Sequence, residues 1–286
     1  MMRRMGLRTL EGRARTLVPR SMRPAASRLY YTALDGLDFI AGRRDPLVPP
    51  KRLLRISTDP SSDYRATGAA FREFLVTHCG LRPDQAVLDV GCGVGRIAVA
   101  LSGYLEAGGR YEGFDIVPEE IAWCRRQVSS RFPNFHFQLA DISNQAYNPS
   151  GKTRASDYQF AYEAQTFDAA VVASVFTHIF AEDVERYVSE IARVLKPGGR
   201  CVASFYLMND VTRSGIAAGT SRFGFRHRTG RCYVDDPHSP EWAVAHDEDV
   251  VRALFQRAGL QPASVMYGTW SSAGVEAQDL VITMKV

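Results

Sequence analysis

Ala86-Val87-Leu88-Asp89-Val90-Gly91-Cys92-Gly93-Val94-Gly95-Arg96 reads as a buried strand, a glycine turn and the first residue of a helix. Val87, Leu88 and Val90 form the short apolar run of a central parallel strand covered on both faces. Gly91, Gly93 and Gly95 follow at alternate positions, where glycine permits positive φ and lets a ligand approach bare backbone. Ile97 to Leu101 then continues as a helix. A ligand over such a turn meets unpaired N–H groups and the positive end of a helix dipole.

Working outward, strands and helices alternate, the pattern of a parallel sheet. Arg110 to Ile116 is the second strand, and Asp115 near its end lies about 20 residues beyond the turn, placed to accept both hydroxyls of a ribose. Pro118-Glu119-Glu120 opens a helix that runs from Ile121 to Arg131, with proline in its first turn and acids near its positive end. Asn134 to Leu139 is the third strand, followed by Ala140-Asp141-Ile142. Phe167 to Ser174 is the fourth, followed by Val175-Phe176-Thr177-His178-Ile179 at the carboxyl end, where open α/β sheets place ligands. Ala181 to Leu195 is an amphipathic helix, with Val184, Tyr187, Val188, Ile191 and Leu195 on one face. Lys196-Pro197-Gly198-Gly199-Arg200 stops it, and Cys201 to Tyr206 is the fifth strand. A helix from Asp247 to Ala258, N-capped by Asp247, precedes two last strands, Leu260 to Tyr267 and Leu280 to Met284.

Asp89, one residue, then Gly91-x-Gly93-x-Gly95 resembles the first motif of the class I S-adenosylmethionine (SAM) dependent methyltransferases. The F-D opening of the fourth strand, the Leu195-Lys-Pro-Gly-Gly199 string and the final antiparallel pair resemble that family too. A dinucleotide fingerprint fits less well, because its third glycine falls on Arg96. The resemblance covers about residues 82–286 and implies an α/β fold: a seven-stranded, mostly parallel Rossmann-like sheet, helices on both faces, and an N-terminal helical extension. It implies SAM as cofactor, no metal, and a cofactor site of Asp89, Gly91, Cys92, Gly93, Gly95, Arg96, Asp115, Ile116, Asp141, Ile142 and Ser174, with Asp141 and Ile142 at the adenine. His178 is the first candidate for a general base, since an imidazole titrates near neutrality; His238 and Tyr206 are the fallbacks. A loop histidine that caps a helix or packs on the adenine is the plainer alternative.

Two segments exceed ordinary connections and read as inserts. Residues 143–165 hold Tyr147, Lys152, Arg154, Tyr158 and Tyr162; residues 207–245 show no clear regular element and hold Arg222, Arg226, Arg228 and Arg231, a cluster suited to a phosphate or carboxylate or else simply solvated. No N-P-P-Y-like tetrapeptide follows the fourth strand; Ala173-Ser174-Val175-Phe176 stands there. The expected acceptor is therefore a small molecule, sugar or lipid, through a hydroxyl, and not a nucleic acid. A SAM-binding protein without catalysis and a nicotinamide-dependent oxidoreductase remain open.

Composition supports a soluble globular chain with 45% hydrophobic residues. Five scattered cysteines without a C-x-x-C pair argue against zinc and disulfides and fit a cytoplasmic setting. The net charge of +4 is unevenly spread: residues 1–55 hold 13 Lys and Arg against 4 Asp and Glu, and the remainder 22 against 27. A mildly acidic core lacks the basic footprint of a nucleic-acid enzyme. The division expected is a basic extension over 1–60 and a catalytic domain over 61–286. Residues 1–30 read as a solvated tail, a transit peptide or a peripheral contact with anionic lipid.

Overall fold

The computed structural model describes residues 23–42, 44–58, 62–272 and 277–286. The arginine-rich start up to Met22 lies outside the described residues. The chain divides into two units, Met1–Ser62 and Asp63–Val286.

In the first unit, α1 (Arg23–Ile40) is followed by the short α2 (Lys51–Ser57). Leu53 and Leu54 of α2 are buried. The backbone N–H groups of Lys51 and Arg52, at the start of α2, donate to the buried Asp35 carboxylate of α1 at 2.7 and 3.2 Å. An acid is the natural partner for the orphan N–H groups of a helix start.

The second unit opens with α3 (Tyr64–Cys79), capped by the Asp63 side chain on the Ala66 N–H and closed by Gly80 at φ 62°. Its buried face is Tyr64, Gly68 and Leu75, while Ala70 and Thr77 are exposed. A Cβ on Gly68 would lie 2.7 Å from the Arg96 carbonyl, so close helix packing chooses this face. The sheet then runs β1 (Ala86–Val90), β2 (Arg110–Asp115), β3 (Phe135–Leu139), β4 (Phe167–Val172), β5 (Leu195–Phe205), β10 (Leu260–Met266) and β11 (Asp279–Lys285). Their order across the sheet is β10-β11-β5-β4-β1-β2-β3. The five strands from β3 to β5 are parallel, and β11 is antiparallel to both neighbours. Crossover helices α4 (Arg96–Leu101), α5 (Pro118–Cys124) and α6 (Ala181–Val194) separate the parallel strands. The seven-stranded Rossmann-like sheet expected from the sequence is therefore present. From β1 the chain adds strands outward on one side and then returns to start β4 on the other. The crevice at the carboxyl ends of β1 and β4 is thus the switch point where such sheets bind ligands.

Local differences from the sequence reading have local causes. The helix after β2 widens into one π turn, Arg125–Ser129, where Arg125 Nε donates to the Phe137 carbonyl at 2.8 Å. The Lys196–Gly199 string is the first part of β5 and not only a stop, with a register shift opposite Phe167–Ala169 that absorbs its proline and glycines. Asp247 precedes α8 (Glu248–Arg257), but its carboxylate takes Arg213 and Tyr233 in place of the helix N–H groups. The 207–245 segment is structured: β6 (Leu207–Met208), α7 (Asp210–Ala217), β7 (His227–Thr229) and β8 (Cys232–Val234) lead into β9 (Val244–Asp247), forming a second sheet ordered β6-β9-β8-β7. Strands of two to four residues are too short to show alternation in sequence. Among the described residues no helix is long and apolar enough to cross a membrane.

Candidate functional site

The turn after β1 is built from backbone. Gly91, Gly93 and Gly95 have φ of 75°, 50° and 68°, the left-handed region that side chains rarely occupy. The N–H groups of Gly91 and Cys92 both donate to the Phe114 carbonyl of β2, at 2.9 and 3.0 Å. Tyr64 of α3 donates its hydroxyl to the Val94 carbonyl at 2.9 Å and so fixes the turn from outside the sheet. The Arg96 guanidinium turns to the same Tyr64 ring, 6.0 Å from its centre.

Two carboxylates flank this turn. Asp115, at the end of β2, accepts the Gly93 N–H at 2.8 Å on one oxygen and the Val117 N–H at 3.0 Å on the other. Each oxygen keeps a further lone pair for a ligand. Burial raises the Asp115 pKa, and the backbone donors oppose that rise. Asp89, in β1, is buried; its Oδ2 accepts the Tyr111 hydroxyl at 2.5 Å, and its Oδ1 has no hydrogen-bond partner among the described residues. Burial pushes its pKa up to about 7, the Tyr111 bond opposes this, and the Asp115 charge adds to it. An orphaned buried carboxylate oxygen beside a glycine cradle is a place for a ligand with a donor group. Ribose hydroxyls at Asp115 and a cationic amino acid end near Asp89 fit SAM.

The second half of the site follows β4. Ser174 holds φ 60°, strained for a residue with a side chain. Its N–H donates to Ser204 Oγ at 2.7 Å, and its Oγ meets Gln278 Oε1 at 3.1 Å. Val175 lies against the first turn: a Cβ on Gly91 would come within 2.2 Å of Val175 Cγ2. His178 is clamped between the two inserts. Its Nδ1 lies 2.9 Å from the Glu241 carbonyl, while Glu241 Oε2 accepts the Gln145 N–H at 2.5 Å. Because a carbonyl only accepts, this contact assigns the proton to Nδ1 and the basic lone pair to Nε2. Burial lowers the His178 pKa, which keeps the ring neutral and able to accept a proton at neutral pH.

Tyr147 links the two halves. Its ring meets His178 edge-on with centroids 5.5 Å apart, and its phenol pKa is raised by burial and then by the charges of Glu120 and Asp115. Tyr158 and Tyr162 instead pack against the main core, and Ile142 is buried in it. Ile116 is partly buried there, and Asp141 is exposed, with Oδ1 accepting the Lys152 N–H at 3.2 Å. The arginine cluster does not converge: Arg231 pairs with Glu182 and Glu185, and Arg222 lies over the Phe223 ring. Tyr206 is buried among Phe223, Phe225 and Trp270, while His238 is exposed. The sequence missed the Glu241–His178 contact and the role of Asp279. This buried acid accepts the N–H groups of Leu207 and Gly268 and the Trp270 indole, tying the aromatic cluster to β11. Only an unexplained Asp opening a strand could have signalled it.

Residues 88–203 match the family model of the methyltransferase domain. Over that stretch the chain is similar to methyltransferase domains. It is 28% identical over 148 residues to an O-methyltransferase of Penicillium expansum, covering 50% of this chain and 47% of that one. It is 30% identical over 132 residues to a demethylmenaquinone methyltransferase of Symbiobacterium thermophilum, covering 46% of each. A 2-phytyl-1,4-naphtoquinone methyltransferase of Trichormus variabilis is 22% identical, covering 53% of this chain and 61% of that one. The chain thus spans about half the length of the curated relatives it matches. The PH0226 protein of Pyrococcus horikoshii has a similar fold, with TM-score 0.55 at 20% identity, covering 82% of this chain and 97% of that one.

Proposed function

We propose that the methyltransferase domain binds SAM over the Asp89–Arg96 turn and transfers its methyl group to a small organic acceptor. The observation that carries this reading is the Asp115 carboxylate seated over the three left-handed glycines, beside the orphaned Asp89 oxygen. SAM supplies an electrophilic methyl on a sulfonium whose leaving group is a neutral thioether. Asp115 holds the ribose hydroxyls. The Gly91–Gly95 backbone lets the ligand lie close. Asp89 faces the amino acid end. Arg96 shapes the turn through Tyr64, Ile116 offers apolar contact, and Asp141 and Ile142 border the adenine.

At the other half, Ser174 borders the cofactor and His178 faces the acceptor. His178 Nε2 takes the proton of an acceptor hydroxyl as the oxygen attacks, and Nδ1–H stays on the Glu241 carbonyl. Catalysis rests chiefly on holding acceptor and methyl about 3 Å apart and in line. No metal enters this scheme. The acceptor is a sugar or lipid hydroxyl, or another small organic molecule of the quinone and sterol kinds that relatives' names carry. Five free cysteines suit a cytoplasmic enzyme, and the basic N-terminus suits contact with a membrane.

The test is methyl-labelled SAM incubated with a panel of hydroxylated sugars, quinols and sterols, read by label in the organic or sugar product. Transfer to one class supports the reading. Tight SAM binding with no transfer to any class would make the chain a SAM-binding protein without catalysis.

A further inference from the structure

Within the first unit, the face of α1 turned away from α2 is apolar and is not covered by the described residues. On the inward face, Asp35 takes the N–H groups of Lys51 and Arg52, and Asp38 pairs with Lys51 Nζ at 2.6 Å. These contacts fix the roll of the helix. On the outward face, Leu29, Ala33, Gly36, Leu37 and Ile40 follow the helical period and are all exposed. Leu29 is 73% exposed, Leu37 59% and Ile40 82%, and Phe39 beside them 68%. Tyr30 borders the stripe on one side and Arg28 on the other. Soluble surfaces rarely leave so many large apolar side chains together without an occupant.

Charge selects the occupant. Residues 1–55 carry 13 basic against 4 acidic side chains; six of the arginines precede α1, Arg23 begins it and Arg28 lies within it. A second copy would bring two strongly positive segments together, which costs repulsion. An anionic bilayer gains from the same charge and accepts the apolar stripe at the boundary of headgroups and acyl chains. The buried Asp35 and the polar inner face of α1 forbid a spanning role.

We propose that α1 is an interfacial anchor that lies in the surface of an anionic membrane, with Leu29, Leu37, Ile40 and Phe39 inserted. This does not depend on the methyl-transfer reading, because attachment is measured without SAM or acceptor.

The experiment is sedimentation of the full chain with vesicles of phosphatidylcholine containing about one-third phosphatidylglycerol, against vesicles of phosphatidylcholine alone. The comparison variant is Leu29→Glu/Leu37→Glu/Ile40→Glu, whose fold is checked by circular dichroism and whose mass is checked by light scattering. The wild type is expected to pellet with the anionic vesicles and far less with neutral ones. The triple variant should partition roughly tenfold or more weakly while remaining folded. Three results overturn the proposal. The wild type stays in the supernatant; or the triple variant pellets equally, so that arginines alone bind; or the wild type is a dimer that the variant dissolves, so that a second copy covers the stripe. Leu29→Ala/Leu37→Ala/Ile40→Ala, which keeps helix propensity, should give an intermediate loss; full retention by that variant also counts against insertion.

Discussion

The turn after β1 and the loop after β4 stand side by side at the switch point of the sheet, yet they are held by different means. The first is shaped by local chain: three glycines, the Phe114 carbonyl one strand away, and Asp115 on the adjacent strand end. The second is shaped by distant chain. His178 rests on Glu241, Asn144 donates to the His178 carbonyl at 3.4 Å, and Val244 donates to the Thr177 carbonyl at 2.8 Å. A cofactor common to a family can be met by backbone that hardly varies. An acceptor particular to one enzyme needs side chains that separate inserts bring together. The first region should therefore control SAM affinity and stability, and the second should control turnover.

The largest effect expected is on turnover. His178→Ala should lower kcat by about 10²–10⁴-fold on a hydroxyl acceptor, with SAM affinity nearly unchanged. Equal kcat in the variant would turn the loop histidine into a clamp between inserts and nothing more.

The next contrast is in pH. The folded-state pKa of Asp89, about 7, lies above its ordinary 3.8, so the native state holds the extra proton. Stability from this group is then fully present below the ordinary value and is lost as pH rises toward 7. The ceiling is roughly 4 kcal/mol, at 1.36 kcal/mol for each unit. Thermal melts between pH 4 and 7.5, without ligand, should show a wild-type stability that falls relative to Asp89→Asn over that window. Parallel curves for the two proteins would mean that Asp89 is ionised throughout.

Gly91→Ala should cost about 2 kcal/mol of stability, from left-handed backbone and from the contact with Val175. A melt within a degree of wild type would show that the two loops can part at little cost. The smallest effect belongs to Tyr147→Phe. Loss of its hydroxyl should raise the acceptor KM by about threefold, within the ~0.5–1.5 kcal/mol of one hydrogen bond, and leave SAM binding alone. A change in SAM affinity instead would assign Tyr147 to the first half.

The same contrast explains what could be read from the sequence. The parallel strands, the crossover helices and the Asp115 position were legible because burial on both faces leaves unbroken apolar runs, and because left-handed turns select glycine. Tyr147 and His178 were visible only as residue types in loops. Nothing local tells Tyr147, which reaches His178, from Tyr158 and Tyr162, which enter the core. The second sheet went unread because its strands are only two to four residues long and β6 finds its partner β9 39 positions away. Arg231 reads in sequence as part of an anion cluster, but Glu182 and Glu185, on a helix far back in the chain, neutralise it.

The claim on which the rest depends is that Asp115 and the glycine turn hold an adenosyl ligand with a cationic amino acid end. Calorimetric titration of wild type and Asp115→Ala with SAM, S-adenosylhomocysteine and NADH tests it most directly. The expected result is micromolar binding of both adenosyl ligands to wild type, no heat with NADH, and a loss of about 1–3 kcal/mol in the variant. Binding of NADH in place of SAM, or identical SAM affinity in the two proteins, would contradict it.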